Sequence, residues 1–211
     1  MARITTEELI RRYQDMSEYE NEARKNGFMV IAGLDEAGRG PLAGPVVAGC
    51  CVLDPEVMVL GVNDSKKLSE KKRAELFPLI QEKALSYGVG IIDEKVIDQI
   101  NILEATKLAM KKAIEALSVQ PDLLLIDALR LPDLAIRQED IIKGDAKSVS
   151  IAAASILAKE TRDRIMREYD SVYPEYGFAK HKGYGTKEHI EAIRKYGPCP
   201  IHRRSFIGHF I

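Results

Sequence analysis

The chain has 211 residues, of which 45% are hydrophobic, and 31 Lys and Arg stand against 32 Asp and Glu for a net charge of −1. This length fits one full domain with its own core, since domains usually span about 100–200 residues. Apolar runs fall short of the ~18 residues that a membrane span needs, and residues 1–8 are polar, unlike a secretory signal. We therefore expect a cytoplasmic protein without membrane association.

The charge is unevenly distributed along the chain. Residues 143–211 carry thirteen Lys and Arg but eight Asp and Glu, so residues 1–142 are net acidic. A basic surface attracts a polyanion such as a nucleic acid. The alternative is that these charged side chains only form the solvated faces of helices.

The N-terminal half alternates between helical and strand patterns. Residues 5–25 predict one amphipathic helix that ends at Gly27, and we treat residues 1–27 as a helical appendage. Two apolar, β-rich runs follow, at 28–34 and 45–53, and the short Gly/Pro loop between them predicts an antiparallel pair. Next come a helix from Ser69 to about 86, which Pro78 should kink or split, a strand at 87–93 and a helix at 95–117.

The C-terminal half continues this alternation. The continuous apolar run at 122–129 predicts a strand buried on both faces, and a second strand follows near 135–143. Helices are expected from Ser148 to about 169 and from Thr186 to about 196. Strands alternating with helices after an opening hairpin indicate an α/β fold with a mixed sheet covered on both faces. Cys50 and Cys51 are adjacent in a strand, so they should be core thiols on opposite faces.

Asp35 and Glu36 end the first predicted strand, and a glycine-rich loop with Gly38, Gly40 and Gly44 follows directly. Such a loop lets a phosphate approach the backbone. The carboxylates would repel it by about 4 kcal/mol per charge pair at ~4 Å and an effective dielectric of ~20. A divalent cation between acid and phosphate, Mg²⁺ or Mn²⁺, reverses that sign. The alternative is a solvated turn, and the glycine spacing fits neither common nucleotide loop.

Asp127 and Asp145 also lie at or just beyond the ends of predicted strands, where sites assemble in open α/β sheets. A lone carboxylate at the end of a buried strand must be paired, protonated or bound to a cation. Four acids without a Ser/His/Asp or Cys/His set favour metal-dependent hydrolysis over covalent catalysis. Asp35 and Glu36 can share one metal centre only if the backbone turns, since adjacent strand residues alternate faces.

Five stretches of this sequence together resemble a known family. They are residues 33–41, 64–68, 126–128, 143–159 and 181–186. With these motifs in this order, the chain resembles bacterial ribonuclease HII, the type 2 ribonuclease H, over about residues 28–208. The resemblance implies a ribonuclease H-like mixed five-stranded sheet with helices on both faces. It also implies that residues 28–211 form the catalytic domain, with a basic helical C-terminal region.

The activity that this resemblance implies is cleavage of the RNA strand of RNA–DNA hybrids and of duplex DNA on the 5′ side of an embedded ribonucleotide. The products would carry 3′-hydroxyl and 5′-phosphate ends, and the enzyme would act as a monomer in ribonucleotide excision repair and DNA replication. The implied metal ligands, for two Mg²⁺ or Mn²⁺ ions, are Asp35, Glu36, Asp127 and Asp145. The implied substrate contacts are Gly38, Arg39 and Gly40 at the ribose 2′-hydroxyl, Tyr184 stacked on a sugar, and Lys66, Lys182 and Ser155 as phosphate contacts or loop supports.

Two other functions remain open from the residues alone. One is a non-catalytic nucleic-acid-binding domain of the same fold, and the other is a metal-dependent phosphodiesterase on small nucleotides. The four acids argue against the first, and the basic C-terminal third argues against the second. At single positions, Tyr184 could simply fill a loop, His181 or His202 is expected as a surface or phosphate contact, and Asp163 as a solvated helix charge.

Overall fold

The computed structural model describes residues 4–132 and 134–208. In chain order its elements are α1 (Thr6–Asp15), α2 (Glu18–Lys25), β1 (Ile31–Ala37), β2 (Val46–Leu53), α3 (Glu70–Lys83), β3 (Ala84–Ile92), α4 (Glu94–Glu115), β4 (Leu123–Asp127), β5 (Arg137–Ile141), α5 (Val149–Val172), α6 (Phe178–His181), α7 (Lys187–Tyr196) and α8 (Arg204–Ile207). Single 3₁₀ turns at Gly144–Ala146 and Pro174–Tyr176 precede α5 and α6. Within these residues, no helix is both long and apolar enough to cross a bilayer.

The five strands form one mixed sheet in the order β3-β2-β1-β4-β5. The hairpin strands β1 and β2 pair antiparallel, and so do β2 and β3, whereas β4 runs parallel to both β1 and β5. The predicted mixed five-stranded sheet and its opening antiparallel pair are confirmed. Because β1 and β4 are parallel, Asp35 and Asp127 lie at the same edge of the sheet.

Helices cover both faces of the sheet, as predicted. Cys51 packs with α3 and α5 residues on one face, while its neighbour Cys50 packs with α4 residues on the other, and both thiols are free and buried. Two glycines let α5 lie directly on the strands. A Cβ at Gly33 would lie 2.0 Å from the carbonyl carbon of Ser150, and one at Gly49 would lie 2.3 Å from Ala154 O. The start of α5 is therefore fixed against β1.

The N-terminal segment differs from the single predicted helix, because α1 ends at Asp15 and α2 begins at Glu18. Tyr13 and Met16 belong to the core cluster on the α5 face, and Val149 N donates to Met16 O at 3.0 Å. These contacts join the segment to the main core. The division of the chain into an appendage and a catalytic domain at residue 27 stays a prediction.

Two predicted helices differ from the structure in detail. Pro78 lies inside α3, which continues unbroken to Lys83, so the predicted split is absent there. In contrast, α4 changes direction at Asn101, whose φ is 67°. The Asn101 side-chain oxygen accepts hydrogen bonds from Leu103 N at 2.9 Å and from Glu104 N at 3.1 Å. It therefore caps the second half of the helix, as Asn commonly does.

The C-terminal region is helical, as predicted, and it packs on the loop between β1 and β2. Leu42 and Ala43 of that loop belong to a core cluster with Met166 of α5 and Phe178 of α6. Leu42 N donates to Gly183 O at 2.8 Å. Two loops that are far apart in sequence, 38–45 and 182–186, are thus held side by side next to the sheet.

Candidate active site

Three carboxylates meet at the edge of the sheet. Asp35 lies in β1, Asp127 is the last residue of β4, and Asp145 lies in the 3₁₀ turn that precedes α5. One oxygen of each lies within 4.8 Å of the other two. Asp35 and Asp145 are each only 5% exposed. Three of the four acids singled out in the sequence therefore form one compact cluster.

Glu36, the fourth acid, follows Asp35 in β1 but is not part of this three-residue group. Its Oε1 lies 3.4 Å from Arg39 Nη1. Burial raises the pKa of Glu36 although the nearby Arg39 cation lowers it, and the negative charge of Asp127 adds to the rise. Glu36 is thus electrostatically coupled to the cluster while its carboxylate is paired with Arg39.

Backbone donors hold the aspartates in place. Asp35 Oδ1 accepts a hydrogen bond from Glu36 N at 2.7 Å, and Asp127 Oδ1 accepts one from Gly144 N at 2.8 Å. Gly144 immediately precedes Asp145, so the bond from its amide ties the end of β4 to the turn that carries the third acid. The cluster is positioned by rigid backbone at each of these points.

The cluster carries more negative charge than its surroundings neutralise. Burial, followed by the charges of Glu36, Asp127 and Asp145, raises the pKa of Asp35 well above its usual value. Burial and the neighbouring acids Asp64 and Asp127 likewise raise the pKa of Asp145. Clustered carboxylate oxygens that are buried and repel one another suit a hard divalent cation. The donor set therefore fits a metal site.

Lys66 is the cation beside the cluster. Its Nζ lies 3.8 Å from Asp145 Oδ2, and its side chain remains 74% exposed. Burial lowers the pKa of Lys66, but the negative charges of the surrounding aspartates outweigh this and raise it. Ser155 supports the loop that carries Lys66, because its Oγ accepts a hydrogen bond from Ser65 N at 3.3 Å.

A buried arginine organises the glycine-rich loop. Arg203 donates to the carbonyl oxygens of Gly38 at 2.6 Å, Arg39 at 3.0 Å, Pro41 at 2.9 Å and Gly44 at 2.9 Å. In a trans peptide the N–H points away from the C=O of the same unit. The N–H groups of Arg39 and Gly40 are thus turned away from Arg203, and neither makes a hydrogen bond to other residues within 4–132 and 134–208.

A second buried arginine connects that loop to the neighbouring one. Arg162 donates to Pro45 O at 2.9 Å, to Ala43 O at 3.0 Å and to Lys182 O at 2.9 Å. Burial lowers the pKa of Arg162 to about 10 and, together with the charge of Arg162, that of Arg203 to about 9. Both remain cations at neutral pH, so two positive charges lie beneath the loop.

Tyr184 lies beside Gly40 of the glycine-rich loop. Lys182 and Gly183, which precede it, have φ values of 53° and 83°, and this left-handed backbone turns the chain sharply. A Cβ on Gly40 would lie 3.8 Å from Tyr184 Cε1, and the tyrosine is 45% exposed. The position of Tyr184 opposite Gly40 is a fact of the fold that no local pattern indicates.

Three histidines support the backbone of the Tyr184 loop from inside. His181 and His202 are predicted to be surface or phosphate contacts, but both are buried, so the prediction of a surface position is wrong. His189 Nδ1 lies 2.9 Å from Tyr184 O, and His189 Nε2 lies 3.0 Å from His202 Nε2. Burial lowers the pKa of both His189 and His202 to about 4. Neutral rings therefore hold the loop at physiological pH.

Two other charged residues are buried against neighbouring segments of the chain. Asp163 is buried and pairs with Arg73 at 3.2 Å and Lys159 at 2.7 Å, so the expectation of a solvated charge is wrong; α3 covers that side of α5. Lys182 is buried, and its Nζ donates to Ala179 O and lies 3.6 Å from Glu70. These are contacts to neighbouring loops and helices rather than to the acid cluster.

Comparisons with known proteins agree with this geometry. A family model described as Ribonuclease HII matches residues 32–209. This chain belongs to the Ribonuclease HII family. The Ribonuclease HII of Acetivibrio thermocellus is 61% identical, covering 99% of this chain and 82% of the relative. That of Clostridioides difficile is 60% identical, covering 95% of this chain and 78% of the relative.

Solved structures show the same fold. The ribonuclease H2 from Pyrococcus horikoshii OT3 is 31% identical with a TM-score of 0.70, covering 84% of this chain and 93% of that one. The RNase HII in a PCNA complex from Archaeoglobus fulgidus is 25% identical with a TM-score of 0.71, covering 83% and 94%. The Bst-RNase HIII crystallised with Mn²⁺ is 22% identical with a TM-score of 0.61, covering 83% and 65%, and shows the fold alone.

The sequence patterns of this Ribonuclease HII family member did not single out Arg162, Arg203 or His189. Arg162 lies in the long helix α5, and Arg203 adjoins a second arginine near the C-terminus, where both resemble surface charges. The hydrogen bonds of the two arginines and the contact of His189 with His202 join residues that are 13 to 165 positions apart in the sequence. The contact of His189 with Tyr184 O spans 5 positions. Only the folded chain reveals that these residues shape the loops at 38–45 and 182–186.

Replacing Arg203 with Lys tests whether its guanidinium holds the glycine-rich loop. A lysine amine cannot serve four carbonyls, and hydrogen bonds to charged groups contribute about 1.5–3 kcal/mol each. We expect Arg203→Lys to lower the free energy of unfolding by about 3 kcal/mol or more and to reduce nucleic-acid cleavage. The exposed neighbour Arg204 provides the control, Arg204→Lys. Denaturant unfolding curves that coincide for the two variants would contradict the assignment.

Proposed function

We propose that this chain hydrolyses the RNA strand of RNA–DNA hybrids and cuts duplex DNA on the 5′ side of an embedded ribonucleotide. The observation that carries this proposal is the compact cluster of Asp35, Asp127 and Asp145 beside a loop with unpaired N–H groups. Membership of a family whose relatives are named Ribonuclease HII supports it. Water adds to phosphorus and the P–O3′ bond breaks, which leaves 3′-hydroxyl and 5′-phosphate ends.

The metal ligands in this proposal are Asp35, Glu36, Asp127 and Asp145, with two Mg²⁺ or Mn²⁺ ions. The raised pKa values of Asp35, Glu36 and Asp145 support it, because burial and then the charges of neighbouring acids disfavour the ionised carboxylates, and a bound cation favours them. Bound ions would lower the pKa of the attacking water and would stabilise the charge that develops on phosphate. Bst-RNase HIII, a protein with the same fold, was crystallised with Mn²⁺.

Residues on both loops form the substrate site in this proposal. The N–H groups of Arg39 and Gly40 are available to a ribose 2′-hydroxyl or a phosphate, and Gly38, with its φ of 98°, permits the turn that presents them. The 2′-hydroxyl is the group that distinguishes RNA from DNA. Tyr184, whose exposed ring lies beside Gly40, then stacks on a sugar. Lys66 contacts a phosphate, since its side chain is exposed beside Asp145.

Lys182 and Ser155 act as loop supports in this proposal, in line with their hydrogen bonds to neighbouring segments. All the residues invoked come from this one chain, so we further propose that it works as a monomer. Its substrates are hybrids and ribonucleotide-containing DNA in the cytoplasm, which fits ribonucleotide excision repair and DNA replication.

A cleavage assay on four substrates tests the proposed function. With Mg²⁺ or Mn²⁺ the protein should cut an RNA–DNA hybrid and a DNA duplex with one ribonucleotide, and it should leave all-DNA duplex and small nucleotide diesters intact. Chelation by EDTA should abolish cleavage. Asp127→Asn should lower kcat about a thousandfold, equivalent to about 4 kcal/mol, because it removes a charged ligand. The exposed acid Asp140 on β5 supplies the control Asp140→Asn, which should cleave normally.

Each alternative function has its own outcome in this assay. Cleavage of small diesters in preference to the hybrid would indicate a nucleotide phosphodiesterase. Binding of the hybrid without metal-dependent cleavage would indicate a non-catalytic domain. Near-normal turnover by Asp127→Asn would show that the carboxylate cluster is not the catalytic centre.

Replacing Tyr184 separates recognition of a single ribonucleotide from general hybrid cleavage. Stacking of an aromatic side chain on nucleic acid is worth about 1–3 kcal/mol per base, so Tyr184→Ala should lower kcat/KM by about tenfold at a single ribonucleotide. A long hybrid offers many positions at which it can be bound and cut, so its kcat/KM should fall less. Tyr196, exposed on α7, gives the control Tyr196→Ala. Equal losses on the two substrates would mean that Tyr184 only packs the loop.

A further inference from the structure

A buried glutamate from the N-terminal segment contacts the start of α5. Glu20 of α2 is 2% exposed. Its Oε1 accepts hydrogen bonds from Ser148 Oγ at 2.5 Å and from Ser150 N at 3.0 Å. Next to this contact, Val149 N donates to Met16 O at 3.0 Å. Three hydrogen bonds therefore join the α1–α2 segment to the first turn of α5.

The helix end explains why a carboxylate suits this position. The first N–H groups of a helix have no partner within the helix, and the helix dipole favours negative charge there. Ser148 is the N-cap, and its Oγ accepts a hydrogen bond from Ile151 N at 3.2 Å. Because Ser148 donates its hydroxyl hydrogen to Glu20, a lone pair remains free for that cap. Glu20 therefore orients the capping side chain.

The same turn is connected to the acid cluster at its other end. Ser148 N donates to Gly144 O at 2.9 Å, and Gly144 N donates to Asp127 Oδ1 at 2.8 Å. Asp145 lies between Gly144 and Ser148 in the sequence. The turn 144–148 is thus fixed by Asp127 on one side and by Glu20 on the other.

The contacts of Glu20 differ from those of a residue in an ordinary structural ion pair. Its Oε2 is buried and has no hydrogen-bond partner within residues 4–132 and 134–208, and the same holds for Arg24 Nε one turn later on α2. Both residues line a cavity of about 140 Å³. A buried carboxylate with one unsatisfied oxygen costs stability, so packing alone does not account for a charged residue here.

We propose that Glu20 is a positioning residue for the acid cluster, through which the α1–α2 segment sets the turn that carries Asp145 for divalent-cation binding. The inference rests on the proposed metal site. It gives residues 6–25 a specific role in the chemistry, since their contact at Ser148 lies three residues along the chain from Asp145, a proposed ligand. Residues that orient metal ligands from behind typically change metal affinity by about 10–100-fold when they are lost.

Direct Mn²⁺ titration of the full chain without substrate, by calorimetry, tests this role. Glu20→Ala should weaken Mn²⁺ binding about tenfold, whereas Glu20→Gln keeps one acceptor oxygen and should weaken it less. Hydrogen exchange of the amides of residues 144–150 should be faster in Glu20→Ala. The matched control is Glu18→Ala, an exposed acid on the same helix, which should match the original protein in both measurements.

The outcomes separate this inference from the proposed function. If the unsubstituted chain binds Mn²⁺ and both Glu20 variants bind it equally well while melting at a lower temperature, Glu20 is merely structural and the inference is wrong. If Glu20→Ala does not fold, unchanged Mn²⁺ affinity in Glu20→Gln together with unchanged exchange at residues 144–150 overturns it as well. A failure of the unsubstituted chain to bind Mn²⁺ at all would overturn the proposed metal site and this inference with it.

Discussion

Repulsion among buried carboxylates is the constraint on which the rest of this structure depends. Asp35, Asp127 and Asp145 place oxygens within 4.8 Å of one another, and the charges of its neighbours help to raise the pKa of Asp35. Like-charged side chains this close repel one another, so they would move apart unless the backbone held them in place. The parallel pairing of β1 with β4, the Gly144 N–H on Asp127, and the close seating of α5 on Gly33 supply that restraint.

The buried cations of the glycine-rich loop bind backbone carbonyls. Arg162 and Arg203 lie beneath the glycine-rich loop, and their partners there are backbone carbonyls. They therefore keep their charge, turn carbonyl oxygens inward and leave N–H groups of the loop free. The same arginine, Arg162, also holds the carbonyl of Lys182, which fixes the distance between the loop and Tyr184. The loops at 38–45 and 182–186 thus form one connected unit next to the acid cluster.

The sequence predicted the sheet and the acid positions because both depend on local patterns: apolar runs mark strands, and carboxylates at strand ends converge when strands are parallel. It did not predict the surroundings of Asp163, His202 or Glu20. A charged residue in a helix reads as solvated unless another element covers it, and α3 covers Asp163 and the start of α5 covers Glu20 only after folding. The neutral ring of His202 is likewise covered by Tyr176 and Phe178. The position of Tyr184 opposite Gly40 likewise depends on Arg162, whose contacts span more than a hundred residues.

The central claim, that folding holds these carboxylates together against their repulsion and that a cation offsets it, is tested most directly by thermal unfolding of Asp35→Asn with and without Mn²⁺. A pKa raised by folding means that ionisation of Asp35 costs stability as pH rises through that pKa. Without metal at pH 7 the variant should therefore melt several degrees higher, at about 2–4 °C per kcal/mol, and this difference should shrink at acidic pH. Adding Mn²⁺ should raise the melting temperature of the unsubstituted chain by more than it raises that of the variant. A variant that melts lower without metal, or that gains equally from Mn²⁺, would contradict the account.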